Sequence, residues 1–156
     1  MSKGMWSACI ALGLLCWTLI EYLLHRFLLH YQTQRPAIRH VIENLHLGHH
    51  RDPAHEAKIT IPVYASLPIA FALLALFRVM TGGWEASAIL TTGTIVGYLY
   101  YEAVHFSIHC GSKRGRLIGW QRANHGFHHF KDQARCFGVT TPLWDWVFGT
   151  GQEGMA

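Results

Sequence analysis

Ten of the twelve histidines in this chain lie in four tight clusters, and each cluster sits where an apolar segment ends or just beyond it. They are His25 and His30 in HRFLLH; His46, His49 and His50 in HLGHH; His105 and His109 in HFSIH; and His125, His128 and His129 in HGFHH. Neutral imidazole is the commonest protein metal ligand. Ten imidazoles exceed what one ion takes up, and they suit two six-coordinate ions with about two positions left over. The pattern points to a two-metal site at a membrane surface.

Three segments lack any charged side chain: Gly4–Ile20, Ile59–Phe77 and Ala86–Tyr101. About 20 apolar residues span a bilayer as a helix. The first and third are shorter, but each extends into its histidine motif, where an amphipathic helix end would leave the lipid. Only 14% of the chain is charged, against roughly 25% in an average soluble domain. The expected fold is therefore an all-α integral membrane protein with about three transmembrane helices and a His-rich helical cap, forming one domain over residues 1–156.

Eleven of the thirteen Lys and Arg residues fall on the side of the histidine clusters, Lys113 and Arg114 among them; only Lys3 and Arg78 fall opposite. By the positive-inside rule the cap is cytoplasmic and the N-terminus lies outside, a multi-pass arrangement with the metal site on the cytoplasmic side. No basic run is long enough to suggest a nucleic-acid partner. The four cysteines form no C-x-x-C, which argues against a disulfide or zinc-ribbon framework. The first apolar stretch runs into a histidine cluster, not into a small-residue cleavage site, so no signal peptide is expected. Gly82-Gly83 marks a turn between the second and third segments. The aromatic stripe from Trp120 to Phe148 reads as core or interfacial anchoring.

Residues four apart on a helix lie about 40° apart and share a face. His105 and His109 have that spacing, and the two trios have i, i+3, i+4 spacing, so each trio is expected to aim its rings at one place. His25 and His30 are five apart, about 140° around an ideal helix. That pair converges only if the helix is distorted or ending there. His40 and His55 stand outside the pattern.

Imidazole suits zinc, copper, iron and nickel alike. There is no H-E-x-x-H motif and no Glu-x-x-His pairing of the soluble di-iron bundles. A nitrogen-rich two-metal site beside lipid points to oxygen chemistry on an apolar substrate, for which iron is the natural metal; zinc would fit the same ligands in a purified sample.

Four stretches carry a more specific likeness: EYLLHRFLLH (21–30), HLGHHRDP (46–53), GYLYYEAVHFSIHCG (97–111) and NHGFHHFKDQARCFGVTTPLWDWVFGT (124–150). Together they resemble the fatty acid hydroxylase superfamily of integral-membrane di-iron enzymes, and most closely its fatty acid 2-hydroxylase branch. The resemblance extends from Glu21 to Thr150, and all ten clustered histidines fall on the family's ligand positions. It implies an oxygen-dependent hydroxylase with two iron ions, molecular oxygen as co-substrate, and the alkyl chain of a fatty acid or fatty-acyl lipid as substrate.

Glu102 departs from the pattern, which usually has Asp there. Family enzymes often carry an N-terminal cytochrome domain, whereas this sequence begins with the helix leading into HRFLLH. Electrons are then expected from a separate protein of cytochrome or ferredoxin type. Asp145 is a candidate to hydrogen-bond the free nitrogen of a ligand histidine. Glu102 and Glu21 border lipid, where an ionisable side chain is functional by default; a hydrogen bond to a neighbouring loop is the competing reading. Rival functions are a desaturase or a sterol or carotenoid hydroxylase of the same superfamily, a bis-histidine haem carrier, and a non-catalytic zinc-binding membrane protein.

Overall fold

The charge-free segments become long helices. The structure is a computed structural model that describes residues 2–111 and 115–152, and every regular element among them is helical. Lys113 and Arg114 lie outside the described residues. The order is α1 (Lys3–Leu23), continuing into a π-helical turn (Leu24–Leu29); α2 (Pro36–Ile42); a second π-helical turn (Glu43–Leu47); α3 (Gly48–Arg51); a 3-10 turn (Glu56–Lys58); α4 (Val63–Thr81); α5 (Trp84–His109); α6 (Arg116–Phe130); and α7 (Leu143–Val147).

Local chemistry sets several of these boundaries. Ser2 caps α1, its hydroxyl accepting the Met5 N–H at 3.3 Å. Gly82 ends α4 in the left-handed region, at φ 68°, and Gly83 opens α5. The Gly82-Gly83 turn therefore makes α4 and α5 an antiparallel pair.

α1 and α5 pack side by side and run in the same direction. The Trp6 indole donates to Glu85 at 3.0 Å near both helix starts. Gly13 then faces Gly93, and Trp17 lies on Gly97. The backbones approach closely here: a Cβ built on Gly13 would stand 2.4 Å from the Leu90 carbonyl oxygen, and one on Gly93 2.5 Å from that of Ile10. Small residues permit such contacts between helices in lipid. The Thr94 hydroxyl bonds the Gly13 carbonyl across the contact at 3.2 Å. Both helices thus deliver their histidines to the same end.

Among the described residues, two helices are long and apolar enough to cross a membrane, Lys3–Leu29 and Glu56–Thr81. The sequence leads to an expectation of three. α5 has the length, 26 residues, or about 39 Å at 1.5 Å per residue, but it is less apolar than α1 and α4. It packs against both of them, and beside the apolar Leu90 and Tyr101 its buried face carries Ser87, Thr91 and Thr94. These hydroxyls bond carbonyls one turn back in the same helix.

A small core joins the helices to the cap. Trp17, Tyr101, Val104, Ile108 and Val139 cluster there, with Ile20, Ile61, Tyr98 and Ile118 against them. The aromatic stripe divides: Phe137 is buried in the cap, whereas Phe130 and Trp146 are exposed.

Candidate metal centre

The ten clustered histidines converge into two groups of five. His25, His30, His46, His50 and His128 form one; His49, His105, His109, His125 and His129 form the other. Within each group the ligating atoms all lie within 4.8 Å of one another. The groups are neighbours: the His50 and His129 rings stack at 4.0 Å across the boundary.

Each helix end contributes according to its winding. The end of α1 gives both its rings to the first group. His25 and His30 sit at the π-helical turn Leu24–Leu29, whose wider winding brings residues five apart onto one face. This is the distortion that the spacing demands. The end of α5 gives His105 and His109 to the second group. The trios do not aim at one place, as the sequence reading expects; each is split. His46 and His50 enter the first group and His49 the second, while His125 and His129 enter the second and His128 the first. The i and i+4 rings stay together, and the i+3 ring, about 60° to the other side, crosses to the neighbour.

The nitrogen spacing fits a metal. In the first group Nε2 atoms pair at 3.0 Å (His25–His46), 3.1 Å (His46–His30), 2.9 Å (His46–His50) and 3.0 Å (His30–His128). In the second, His49, His105, His125 and His109 close a four-membered ring with edges of 3.0 to 3.1 Å. Neighbouring ligands at right angles around an ion with bonds of about 2.1 Å stand about 3.0 Å apart, against about 3.4 Å in a tetrahedron. The edges match the octahedral value. A carbonyl only accepts, so where His25 Nδ1 donates to Phe137 O at 2.6 Å and His128 Nδ1 to Arg135 O at 2.8 Å, Nε2 carries a lone pair. Lone pairs so close repel unless a cation lies among them.

Burial keeps the cap rings neutral, the form that binds metal. It holds His30 and His128 down to about 4, His49 to about 3 and His50 to about 2; neighbouring imidazoles add to the effect on the last three. His46 and His129 are lowered for the same reasons.

The carboxylates act elsewhere than the sequence suggests. Asp145 reaches no imidazole. It accepts the N–H groups of Phe137 and Gly138 at 2.9 and 2.8 Å and the Thr150 hydroxyl at 2.7 Å. Glu102 likewise bonds no imidazole; it accepts the Ile61 N–H at 3.0 Å, in the segment leading into α4. Glu21 accepts the N–H groups of Val139 and Thr140 at 2.6 and 2.9 Å. For both glutamates the neighbouring-loop reading is the one the structure shows.

Sequence reasoning missed the residues that hold the cap together. Gln121 and Asn124 on α6 donate to the carbonyls of Thr140 and Gly138. Arg122 binds the carbonyls of Ser107, Ile108 and Gly111 at 2.9 to 3.0 Å, fastening α6 to the end of α5 beside His109. An i, i+1, i+3 run of polar residues just before HGFHH was the available signal. His40 faces Asn44 at 3.0 Å on the surface, and neither His40 nor His55 joins a group.

The profile of the family described as fatty acid hydroxylase matches residues 10–150. The chain belongs to the fatty acid hydroxylase family. It is 38% identical over 146 residues to a fatty acid 2-hydroxylase of Rattus norvegicus, a match covering 89% of this chain and 38% of that protein. It is 36% identical over 141 residues to a dihydroceramide fatty acyl 2-hydroxylase of Arabidopsis thaliana, covering 90% of this chain and 59% of that protein. In both comparisons the chain spans well under two thirds of its relative. Among solved structures, full-length scs7p, with only its hydroxylase domain visible, is similar with a TM-score of 0.91 and 29% identity, over 100% of this chain and 60% of that one.

Proposed function

We propose that the chain is a membrane-bound di-iron hydroxylase that uses molecular oxygen to hydroxylate a fatty-acyl chain, with carbon 2 as the target. The observation that carries the reading is the pair of five-nitrogen groups with octahedral edge spacing, at the end of apolar helices in a member of this family. The names of the relatives, fatty acid 2-hydroxylase and dihydroceramide fatty acyl 2-hydroxylase, support the substrate class and the position. A cavity of about 190 Å³ between α1, α4 and α5 is lined by Trp17, Leu24, Ile61, Leu67, Leu73 and Leu99 among others. Leu24 adjoins His25, so an apolar tail in this cavity has its polar end near the cap.

His25, His30, His46, His50 and His128 would hold one iron, and His49, His105, His109, His125 and His129 the other. Two bound irons would supply the redox chemistry for reducing oxygen so that one of its atoms enters a C–H bond. The balance is R–H + O2 + 2 e− + 2 H+ → R–OH + H2O, so two electrons per turnover come from a donor of cytochrome or ferredoxin type. The chain's own residues do the rest. Phe137 and Arg135 carbonyls fix two rings in the tautomer whose Nε2 faces the metal. The buried cap keeps water from the reacting centre.

The same reading has three spans, with α5 as the third, the N-terminus outside and the cap cytoplasmic. The parallel course of α1 and α5 and the bias of Lys and Arg support it. A cysteine introduced at Gly83 should be labelled from the outer side; labelling from the cytoplasm alone would overturn this topology. The reaction is tested by lipid analysis of cells expressing the protein beside a His128→Ala control. A new 2-hydroxylated acyl lipid that needs oxygen and is missing from the control is expected. An unsaturated or hydroxylated sterol product would reassign the reaction, and product formed without oxygen would reject the mechanism.

A further inference from the structure

The two histidine groups differ in what holds their rings from behind. In the first, His25 and His128 both donate Nδ1–H to the backbone of one short loop, at Phe137 and Arg135. The residue between, Cys136, is buried and left-handed at φ 59°, and it sets the angle between the two carbonyls. The loop is fastened to Asp145. The carboxylate accepts two successive N–H groups, from Phe137 and Gly138, while the Cys136 N–H reaches Thr150 O at 2.8 Å and Thr150 itself bonds Asp145. Gly138 is needed for the approach: a Cβ there would stand 2.1 Å from Thr141 O and 2.9 Å from Asp145 Oδ2.

In the second group, no two rings are tied in this way to one loop among the described residues. Nδ1 of His49, His125 and His129 is buried with no protein hydrogen bond. His105 has the Ile59 backbone as its neighbour, a residue outside the loop that holds the first group. In the first group His50 Nδ1 is also unsupported, so the contrast rests on His25 and His128. Partners behind a ligand histidine fix its ring and raise its basicity, and their loss typically costs about 10–100-fold in metal affinity.

We propose that Asp145 is a positioning residue for the first histidine group alone, acting through the Arg135–Phe137 backbone, so that the two groups hold their metals independently and the first holds its ion more tightly. This rests on reading the ten histidines as metal ligands. It assigns Asp145 an action on two rings that it never touches.

The test is anaerobic equilibrium binding of ferrous iron to the full chain in detergent, with diethyl pyrocarbonate mapping of which histidines the metal protects. Wild-type protein should take up two ions in two steps, with His25 and His128 protected first. In Asp145→Ala the tighter step should weaken about 10–100-fold. His25 and His128 should then become reactive while His105 and His109 stay protected. Cys136→Gly, which keeps the left-handed backbone without strain, should weaken the tighter step less than Cys136→Val does. Cys136→Val should behave like Asp145→Ala, and it provides the reading if Asp145→Ala does not accumulate. Parallel loss of both ions, or loss of protection at His105 and His109 together with His25 and His128, would make Asp145 a merely structural residue and overturn the proposal. So would unchanged binding by Asp145→Ala. Wild-type protein that binds no iron at its histidines would instead remove the ligand reading beneath it.

Discussion

The helical stem and the cap are built on opposite rules. In the stem, large apolar residues face outward: Val79 is 82% exposed and Phe71 63%. The interior of the α1–α5 contact holds glycines and threonines. In the cap, polar and ionisable groups face inward, and His125 and His128 have no exposed surface. On the membrane reading proposed above, lipid accounts for the stem, because apolar surface costs nothing against hydrocarbon and close backbone packing supplies the attraction. The cap buries polar atoms, and these need partners. The comparison teaches where each half is fragile. The stem depends on the absence of side chains at a few positions; the cap depends on particular polar atoms.

The strongest break should come in the cap. His49→Ala and His128→Ala should reduce product formation to background, measured as 2-hydroxylated lipid per unit of protein, because each leaves its group with four nitrogens. The stem comes next. Gly13→Leu or Gly93→Leu drives a side chain into backbone and should cost about 1–3 kcal/mol or more, seen as a lower unfolding midpoint in detergent. Val79→Leu, on the lipid face, should shift it by no more than about 0.5 kcal/mol.

A pH titration separates the halves more finely. The cap histidines have folded-state values depressed below their unfolded value of about 6.5. The unfolded chain therefore binds more protons as the medium acidifies, and stability falls with pH. For His30 and His128 the loss runs from about 6.5 down through about 4, and it continues lower for His49 and His50. Metal should be released over the same range, because protons compete for the same lone pairs. Iron retention and unfolding, followed from pH 7 to pH 4, should fall together; an unchanged profile would contradict the buried neutral rings. The smallest effects belong at the cap surface. His40→Ala and His55→Ala should leave activity within about twofold, as expected of exposed substitutions. Glu102→Gln keeps an oxygen for the Ile61 N–H and should change the unfolding midpoint little.

How much of this was legible in the sequence follows from the range of the contacts. The charge-free segments and the Gly82-Gly83 turn are local signals, and they locate α1, α4 and α5, although α5 runs well beyond its segment at the His109 end. The five-residue gap from His25 to His30 demanded a distorted helix, and a π-helical turn stands there. The division of each trio is also legible, since i+3 and i+4 lie on opposite sides of i, but spacing alone does not show that a second group waits on the other side. The loop clamps were not legible. Glu21 meets Thr140 across 119 residues, and no spacing rule links a carboxylate to a carbonyl that it orients from behind. The α1–α5 contact escaped for the same reason: Gly13 and Gly93 look like ordinary residues of two apolar helices until the helices meet.

That contact has a consequence for biogenesis. Thr94 lies 81 residues after its Gly13 partner, an interval of about 4–16 s at ordinary synthesis rates of 5–20 residues per second. During that time the Gly13 face of α1 lacks the α5 surface on which it packs. α4 arrives first but packs on α5, so the stem cannot close in order of synthesis. Loop 135–140 emerges later still. The histidine groups are thus completed last, and on the membrane reading proposed above any metal enters a chain whose helices already stand in the bilayer.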